Sequence, residues 1–353
     1  MLTSKMSLQA IESWLRETDP VRLETLWAEA DRTRRETVGE EVYFRGLIEI
    51  SNYCSRQCLY CGLRGERKEL ERYRLTDAEI QDCAKRCKIL GYGTVVLQAG
   101  EDPGIAPERI AEIIKWIKQE TGLAVTLSLG EKSEDVFRLW KTAGADRYLL
   151  RVETTDNSLI QVIHPGEPYG SRKANLERLF KLGYQVGSGV MVGIPGQTIA
   201  ILAKDLAWFR ENDFDMIGIG PYLPHPDTPL GQTKVTNAEQ MPNDEISTYK
   251  AIALTRILCP EANLPATTAL ATVNRQDGRE IALQRGANIV MPNLTPVKYR
   301  KFYEIYPEKA CINDTAEMCY QCLNGKINSI GRKIGEGTGE RKRRNKTVNS
   351  VTV

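Results

Sequence analysis

Three cysteines on one short segment are the residues of this sequence best suited to chemistry. Cys54, Cys58 and Cys61 are separated by three and two residues, so their thiolates can converge from one loop on one iron–sulfur cluster. A 4Fe–4S cubane held by three protein ligands keeps one iron open, where a small molecule can chelate. A structural zinc site is the alternative, but zinc usually takes four protein ligands in two spaced pairs. The spacing therefore favours a catalytic cluster.

A second group of cysteines, Cys311, Cys319 and Cys322, lies nearer the end of the chain. It could hold a second cluster, 2Fe–2S or 4Fe–4S, with one ligand that is not cysteine. A zinc site and free thiols are the alternatives. Cys83 and Cys87 fall on the apolar stripe of a predicted helix, so we interpret them as small buried hydrophobic residues.

The elements that must position these residues are short apolar runs that alternate with helical patterns. Thr76 and Glu79 form a capping box at the start of one helix, and Gly183 ends another. Strand and helix in alternation predict an α/β fold, a (βα)8 TIM-type barrel. The predicted strands are Tyr43–Ile50, Thr94–Gln98, Ala124–Leu129, Arg147–Val152, Gln185–Val192, Met216–Gly220, Leu264–Thr268 and Asn288–Met291.

The predicted barrel occupies one domain, residues 41–325, which includes the second cysteine group. Residues 1–40 precede the first strand and are expected to form an N-terminal helical extension. Residues 326–353 are expected to form a C-terminal tail. The basic residues at 341–344 in that tail are predicted to be solvated.

Polar residues follow the second and third predicted strands, at the end of a barrel where active sites lie. Gln98, Gly100 and Glu101 end the second strand. Glycine lets the backbone approach a ligand, and a carboxylate can accept a hydrogen bond from an ammonium group. Thr126 and Ser128 share one face of the third strand because side chains alternate along a strand.

Arg151 and Glu153 share a face at the end of the fourth strand, and they could pair with each other or with a polar ligand. Glu153 suits the ribose hydroxyls of a nucleoside, and Arg151 suits an anionic substrate group. Arg172, at the start of the following helix, could reach a carboxylate. His164 and His225 each lie in a proline-rich loop and are left outside the predicted catalytic set.

Composition limits the class of protein. The 353 residues carry 48 basic and 46 acidic side chains, a balance that does not favour nucleic acid as a partner. No apolar run approaches the length of a membrane span, and no signal peptide is apparent at the start. Nine cysteines fit metal ligation in a reducing compartment better than disulfides. We expect a cytoplasmic protein with no membrane contact.

The motif Cys54-x3-Cys58-x2-Cys61, with aromatic Tyr60 before its last cysteine, resembles that of the radical S-adenosylmethionine (SAM) superfamily. The resemblance implies that SAM chelates the open iron of a 4Fe–4S cluster, whose electron cleaves it to methionine and a 5′-deoxyadenosyl radical. Gly100-Glu101 resembles the Gly-Gly-Glu element that holds the SAM amino group, with Ala99 in place of the first glycine. The residues expected to bind SAM are Tyr60, which would contact the adenine, and Gln98, Gly100, Glu101, Ser128, Glu153 and Arg172.

Longer stretches are similar to the HydE family of FeFe-hydrogenase maturases, from about residue 40 to about residue 325. They are Val96–Pro103, Thr126–Glu131, Ala145–Arg151, Gly193–Thr198, Ile217–Leu230 and Pro265–Thr268. This resemblance implies a role in assembling the active-site H-cluster, with a small cysteine-derived iron complex as substrate. Other hydrogenase maturases would be partners, and a ferredoxin or flavodoxin the electron donor. The residues implied at the substrate end are Thr126, Arg151, Thr267, Thr268, Tyr303 and Tyr306.

Three alternative functions stay open. A lysine mutase similar to methylornithine synthase would use a similar barrel and a similar arginine. A sulfur-inserting enzyme similar to biotin synthase is less favoured, because its characteristic Asn-His-Asn-Leu-Asp-Thr-like stretch is absent from this sequence. A non-catalytic iron–sulfur carrier would have no use for the SAM-binding residues.

Overall fold

The computed structural model describes residues 2–168, 170–235 and 237–341. Two helices, α1 (Leu8–Arg16) and α2 (Pro20–Val38), precede the first strand, as expected for the helical extension. Both helices begin at a side-chain cap: Ser7 accepts from the backbone of Ala10, and Asp19 from that of Val21. They pack on the outer helices of the sheet and bury Ile11, Leu15 and Leu26 there.

The strands are short, parallel and almost wholly buried, as expected where helices cover one face and packed side chains fill the other. They are β1 (Glu41–Ser51), β2 (Thr94–Ala99), β3 (Ala124–Ser128), β4 (Arg147–Leu149), β5 (Gln185–Val192), β6 (Met216–Pro221), β7 (Ile289–Val290) and β8 (Lys333–Ile334). The order in the sheet is β6-β5-β4-β3-β2-β1-β7, and β8 also pairs with β1.

The remaining helices connect the strands, and all except the four-residue α12 bury apolar side chains. They are α3 (Asp77–Ile89), α4 (Pro107–Thr121), α5 (Glu134–Thr142), α6 (Asn157–Ile163), α7 (Ser171–Lys181), α8 (Ile199–Asn212), α9 (Glu245–Leu258), α10 (Thr268–Val273), α11 (Gly278–Gln284), α12 (Val297–Arg300) and α13 (Ala316–Ser329). The Thr76–Glu79 capping box of α3 is present as predicted. Cys83 and Cys87 are buried on the inner face of this helix, which confirms their structural interpretation.

A short extended segment, residues 263–266, joins the two edges of the sheet. The amide of Ile217 on β6 donates to Asn263 O at 2.9 Å, and the amide of Ala266 donates to Ile289 O on β7 at 2.9 Å. The sheet therefore curls into the predicted barrel. The prediction of a seventh strand through residue 268 was wrong, because Thr267 caps α10: its hydroxyl accepts from the amide of Leu270 at 3.3 Å.

Residues 335–341 cross the amino-terminal end of the barrel. Thr94 Oγ1 donates to Thr338 O at 2.9 Å, and Arg45 Nη2 donates to Gly339 O at 3.0 Å. α13 also continues to Ser329, past residue 326, where the tail was expected to begin. The carboxyl ends of the strands, at the opposite end, carry the predicted active site.

The prediction of a solvated basic tail was wrong for Arg341. Its side chain is 7% exposed, and it pairs with Asp213 and with Glu261, the latter at 3.3 Å. A guanidinium with five donors can bond several acceptors at once, which explains why the Arg341 side chain is buried. Lys342, Arg343 and Arg344 lie outside the described residues. No helix among the described residues is long and apolar enough to cross a membrane.

Candidate active site

The first cysteine loop follows β1 directly, so it lies at the carboxyl end of the barrel. Cys54, Cys58 and Cys61 are each half-buried. Burial raises the pKa of all three thiols, that of Cys61 to about 12, so these groups become thiolates only when a cation binds them. Backbone amides already point at two of the sulfurs: Glu101 N lies 3.3 Å from Cys54 Sγ, and Leu63 N lies 3.4 Å from Cys61 Sγ. Three sulfur donors with amide support fit an iron–sulfur cluster.

Gly100 allows the end of β2 to approach this loop. A Cβ at this position would lie 2.4 Å from the Tyr53 carbonyl oxygen and 2.7 Å from Cys54 Cβ. The amide of Ser55 then donates to Glu101 O at 2.9 Å, which fixes the two segments side by side. Glycine is required at position 100 because of this close approach.

Three carboxylates and two arginines meet beside the cysteine loop. Oxygens of Glu101, Glu131 and Glu167 lie within 4.8 Å of one another. Arg56 Nε lies 2.7 Å from Glu101, and Arg172 Nη2 lies 2.9 Å from Glu167. Such alternation of buried charges can bind a zwitterion, whose ammonium would meet a carboxylate and whose carboxylate would meet an arginine. Arg56, Glu131 and Glu167 were not predicted, because their loops show no motif by themselves.

Arg151 and Glu153 pair with each other, one of the two predicted arrangements. Arg151 Nε donates to Glu153 Oε1 at 3.0 Å, and Arg151 Nη2 donates to Val190 O at 2.7 Å. Glu153 has a φ of 64°, which is uncommon for a residue with a side chain and concentrates at functional sites. Its amide donates to Gly189 O at 3.0 Å, and this bond holds the strained backbone in place.

Tyr60 contacts a histidine that sequence reasoning left out of the site. Its hydroxyl oxygen lies 2.8 Å from His164 Nε2, and His164 Nδ1 lies 3.0 Å from Glu167 Oε2. Burial lowers the pKa of His164 and raises that of Tyr60. The only sequence signal for His164 was that the chain holds just two histidines.

Gln98 and Ser128 lie opposite each other on β2 and β3. The side chain of Gln98 points toward the other group of predicted residues, because its Nε2 donates to the hydroxyl of Tyr303 at 3.2 Å. Tyr303 is 2% exposed. The structure therefore brings the predicted SAM-binding and substrate residues into one space.

The other predicted substrate residues surround the same interior. Thr126 is 1% exposed, and its hydroxyl has no hydrogen-bond partner among the described residues. Thr267 ends the segment that joins β6 to β7, and Thr268 accepts from Arg279 Nη2 at 3.3 Å. Burial raises the pKa of Tyr306. Thr126 lines a small cavity with Arg45, Arg147 and Asn263 on the amino-terminal side of the barrel, so its hydroxyl lies apart from Tyr303 and Thr268.

An ion pair that sequence reasoning missed lies beside Tyr303, in the part of the barrel interior that Gln98, Tyr303 and Lys309 surround and that we call the chamber. Glu49 on β1 is fully buried and pairs with Lys309, which is itself 7% exposed at its side chain. Asn293 Nδ2 donates to the second carboxylate oxygen of Glu49 at 2.9 Å. The Lys309 ammonium also lies 5.1 Å from the centre of the Tyr303 ring. Lys309 lies in an irregular segment with no sequence pattern that could have indicated this pair.

The second cysteine group lines a separate cavity of about 220 Å³. Cys319 and Cys322 lie one turn apart on α13, and Cys311 approaches from the preceding segment with a φ of 63°. A hydrogen bond with Cys319 lowers the pKa of Cys311 to about 6. Arg279 Nη1 lies 3.7 Å from Cys311 Sγ. Three thiols beside a guanidinium fit an anionic metal cluster.

Comparison with known proteins agrees with this geometry. The model of the "Radical SAM superfamily" matches residues 48–209. The chain is 48% identical over 325 residues to the [FeFe] hydrogenase maturase subunit HydE of Thermotoga maritima, covering 92% of this chain and 91% of that protein. This chain belongs to the HydE family of radical SAM enzymes. Membership implies a 4Fe–4S cluster and SAM, which fit the cysteine loop and the charged residues beside it.

Two further relatives separate fold from function within the superfamily. A 3-methylornithine synthase of Methanosarcina acetivorans is 31% identical over 270 residues, which are 76% of this chain and 74% of that protein. The crystal structure of a methylornithine synthase (PylB) superposes with a TM-score of 0.79 at 25% identity, covering 94% of each chain. Members of the HydE family therefore share the barrel with enzymes of other activity, and the chamber must decide the substrate.

Proposed function

We propose that this radical SAM enzyme is a maturase of FeFe hydrogenase, acting on a small cysteine-derived iron complex during H-cluster assembly. The observation that carries the proposal is the 48% identity to HydE across nine-tenths of the chain. The chamber supports it, because hydroxyls, one arginine and one buried ion pair suit a small zwitterionic or anionic ligand. Thr126, Arg151, Thr267, Thr268, Tyr303 and Tyr306 would line the substrate end.

Cys54, Cys58 and Cys61 would hold the 4Fe–4S cluster, which when bound supplies the electron that cleaves SAM. Glu101 would accept the SAM ammonium, and Arg172, whose guanidinium has five donors, would donate to the SAM carboxylate while it holds Glu167. The barrel then excludes water from a reactive radical, since the walls behind the loop are apolar and buried.

Glu153 would accept from the ribose hydroxyls, with its orientation set by Arg151. Tyr60 would contact the adenine. Gln98, Gly100 and Ser128 would complete the SAM site at the ends of β2 and β3. These assignments follow the superfamily motif residue by residue, and each position lies at the carboxyl end of the barrel.

We also propose a second cluster, 2Fe–2S or 4Fe–4S, at Cys311, Cys319 and Cys322. The lowered pKa of Cys311 and the nearby guanidinium of Arg279 support it, because both favour thiolate ligands. Its cavity opens beside α11 and α13, outside the barrel chamber, so the second cluster need not take part in the reaction. Partners of the proposed enzyme are a ferredoxin or flavodoxin and the other maturases, in the cytoplasm.

The alternative substrate is lysine, as the 31% identity to 3-methylornithine synthase suggests. One experiment separates the two. The anaerobically reconstituted protein is added to an apo-hydrogenase with the other maturases, and in parallel to lysine with SAM and dithionite. Hydrogen evolution that requires this protein, with no lysine product, supports the maturase. A methylornithine-like product without hydrogenase activation would overturn it.

A further inference from the structure

The contact between His164 and Tyr60 has no counterpart in the roles described above. We infer that His164 is a positioning residue for SAM, which acts by fixing the side chain of Tyr60 between two ligands of the iron–sulfur cluster. The inference rests on the proposed contact of Tyr60 with SAM. Tyr60 directly precedes Cys61 and lies two positions after Cys58, so the orientation of its ring shapes the SAM side of the loop without changing a cluster ligand.

The charged neighbours of His164 determine which atom donates in its hydrogen bond with Tyr60. Glu167 is held by Arg172 at 2.9 Å and lies 3.0 Å from His164 Nδ1. This contact lacks the geometry of a hydrogen bond, and an ionised carboxylate beside Nδ1 favours the tautomer that carries its hydrogen on Nδ1. In a neutral imidazole the other nitrogen then has a free lone pair, and the Tyr60 hydroxyl donates to Nε2 at 2.8 Å.

The same contacts join the cysteine loop to the segment that follows β4. Arg172 Nη1 donates to Arg151 O at 2.7 Å at the end of β4, and the amide of Leu59 donates to Ile163 O at 2.9 Å. His164 is 3% exposed, so water cannot replace these bonds at low cost. A continuous path of polar contacts therefore runs from the cysteine loop through His164 and Glu167 to the segment after β4 that carries Glu153.

A double-mutant cycle tests the inference. His164→Phe and Tyr60→Phe each remove the hydrogen bond between the two side chains, so the double variant loses no further bond. We expect each single variant to raise the KM for SAM roughly tenfold, the double variant to raise it no further, and iron content to stay unchanged. His164→Gln retains an acceptor near the position of Nε2 and should restore part of the affinity. Tyr184→Phe is the matched control, because its hydroxyl bonds Phe137 O at 2.7 Å away from this site.

The measurement is 5′-deoxyadenosine formed at varied SAM concentration by reconstituted protein. A normal KM in His164→Phe together with a raised KM in Tyr60→Phe would overturn the inference alone. Additive effects in the double variant would also overturn it. A normal KM in Tyr60→Phe would also overturn the inference, because the hydroxyl would then have no part in SAM binding, while SAM cleavage by the wild type would still support the radical SAM activity. If His164→Phe does not fold, the cycle is run with His164→Gln.

Discussion

Replacement of Gly100 by alanine should displace the cluster loop without replacing any of its cysteines. The added Cβ would lie 2.4 Å from the Tyr53 carbonyl oxygen, and real Cβ atoms essentially never come closer than 3.0 Å. The oxygen must therefore move by at least about 0.6 Å. Cys54 Cβ, at 2.7 Å, must move as well. Overpacking of this kind costs about 1–3 kcal/mol, and here the strain falls on the residue that begins the cysteine motif.

We expect Gly100→Ala to lose most of its iron after reconstitution and to cleave SAM at a small fraction of the wild-type rate. Gly325→Ala is the matched control, because a Cβ there meets nothing within 4 Å and alanine favours a helix by about 0.5–1 kcal/mol. The assays are iron content per chain, melting temperature and 5′-deoxyadenosine formation. Full iron content and full cleavage in Gly100→Ala would refute the close approach of β2 to the loop.

Three further variants test other parts of the structure. Lys309→Met should cost about 3–5 kcal/mol in urea unfolding by leaving Glu49 buried and unpaired, and the double variant with Glu49→Gln should recover much of it; an equally unstable double variant would contradict the pairing. Cys311→Ser should lower iron per chain and the visible absorbance of the second cluster; unchanged iron would exclude that site. Burial raises the pKa of Asp205 to about 6. The protonated carboxyl therefore contributes stability that is fully present below its unfolded pKa of about 4 and is lost as pH rises through 6. Asp205→Asn, which mimics the protonated acid, should flatten the fall in melting temperature over that range, and a parallel fall in both proteins would refute the assignment.

The sequence predicts the barrel well because its strands and helices are set by local pattern. The capping box at Thr76 and the apolar stripe of α4 need no tertiary information. The predicted strand Leu264–Thr268 was too long because Thr267 can either extend a strand or cap a helix. Only the packing of α10 decides which of the two it does. Arg341 looked like part of a solvated tail because the carboxylates that hold it, Asp213 and Glu261, are remote in sequence.

The candidate site likewise has a part that the sequence predicts and a part that it does not. The cysteine motif is local, so spacing alone predicts it. The partners that complete the site, His164, Glu167 and Lys309, come from loops whose approach depends on how the barrel closes. Lys309 and Glu49 are 260 residues apart in the chain, and a lone lysine in an irregular segment gives no periodicity to interpret. Contacts over such separations follow from topology and not from local sequence.

The most direct test of the account is SAM cleavage by the loaded enzyme. The protein is purified without oxygen, reconstituted with iron and sulfide, and mixed with SAM and dithionite, and 5′-deoxyadenosine is quantified beside a Cys58→Ser control. We expect 5′-deoxyadenosine from the wild type and none above background from Cys58→Ser. No 5′-deoxyadenosine from wild-type protein with a fully loaded cluster would contradict this expectation and would favour a non-catalytic iron–sulfur carrier.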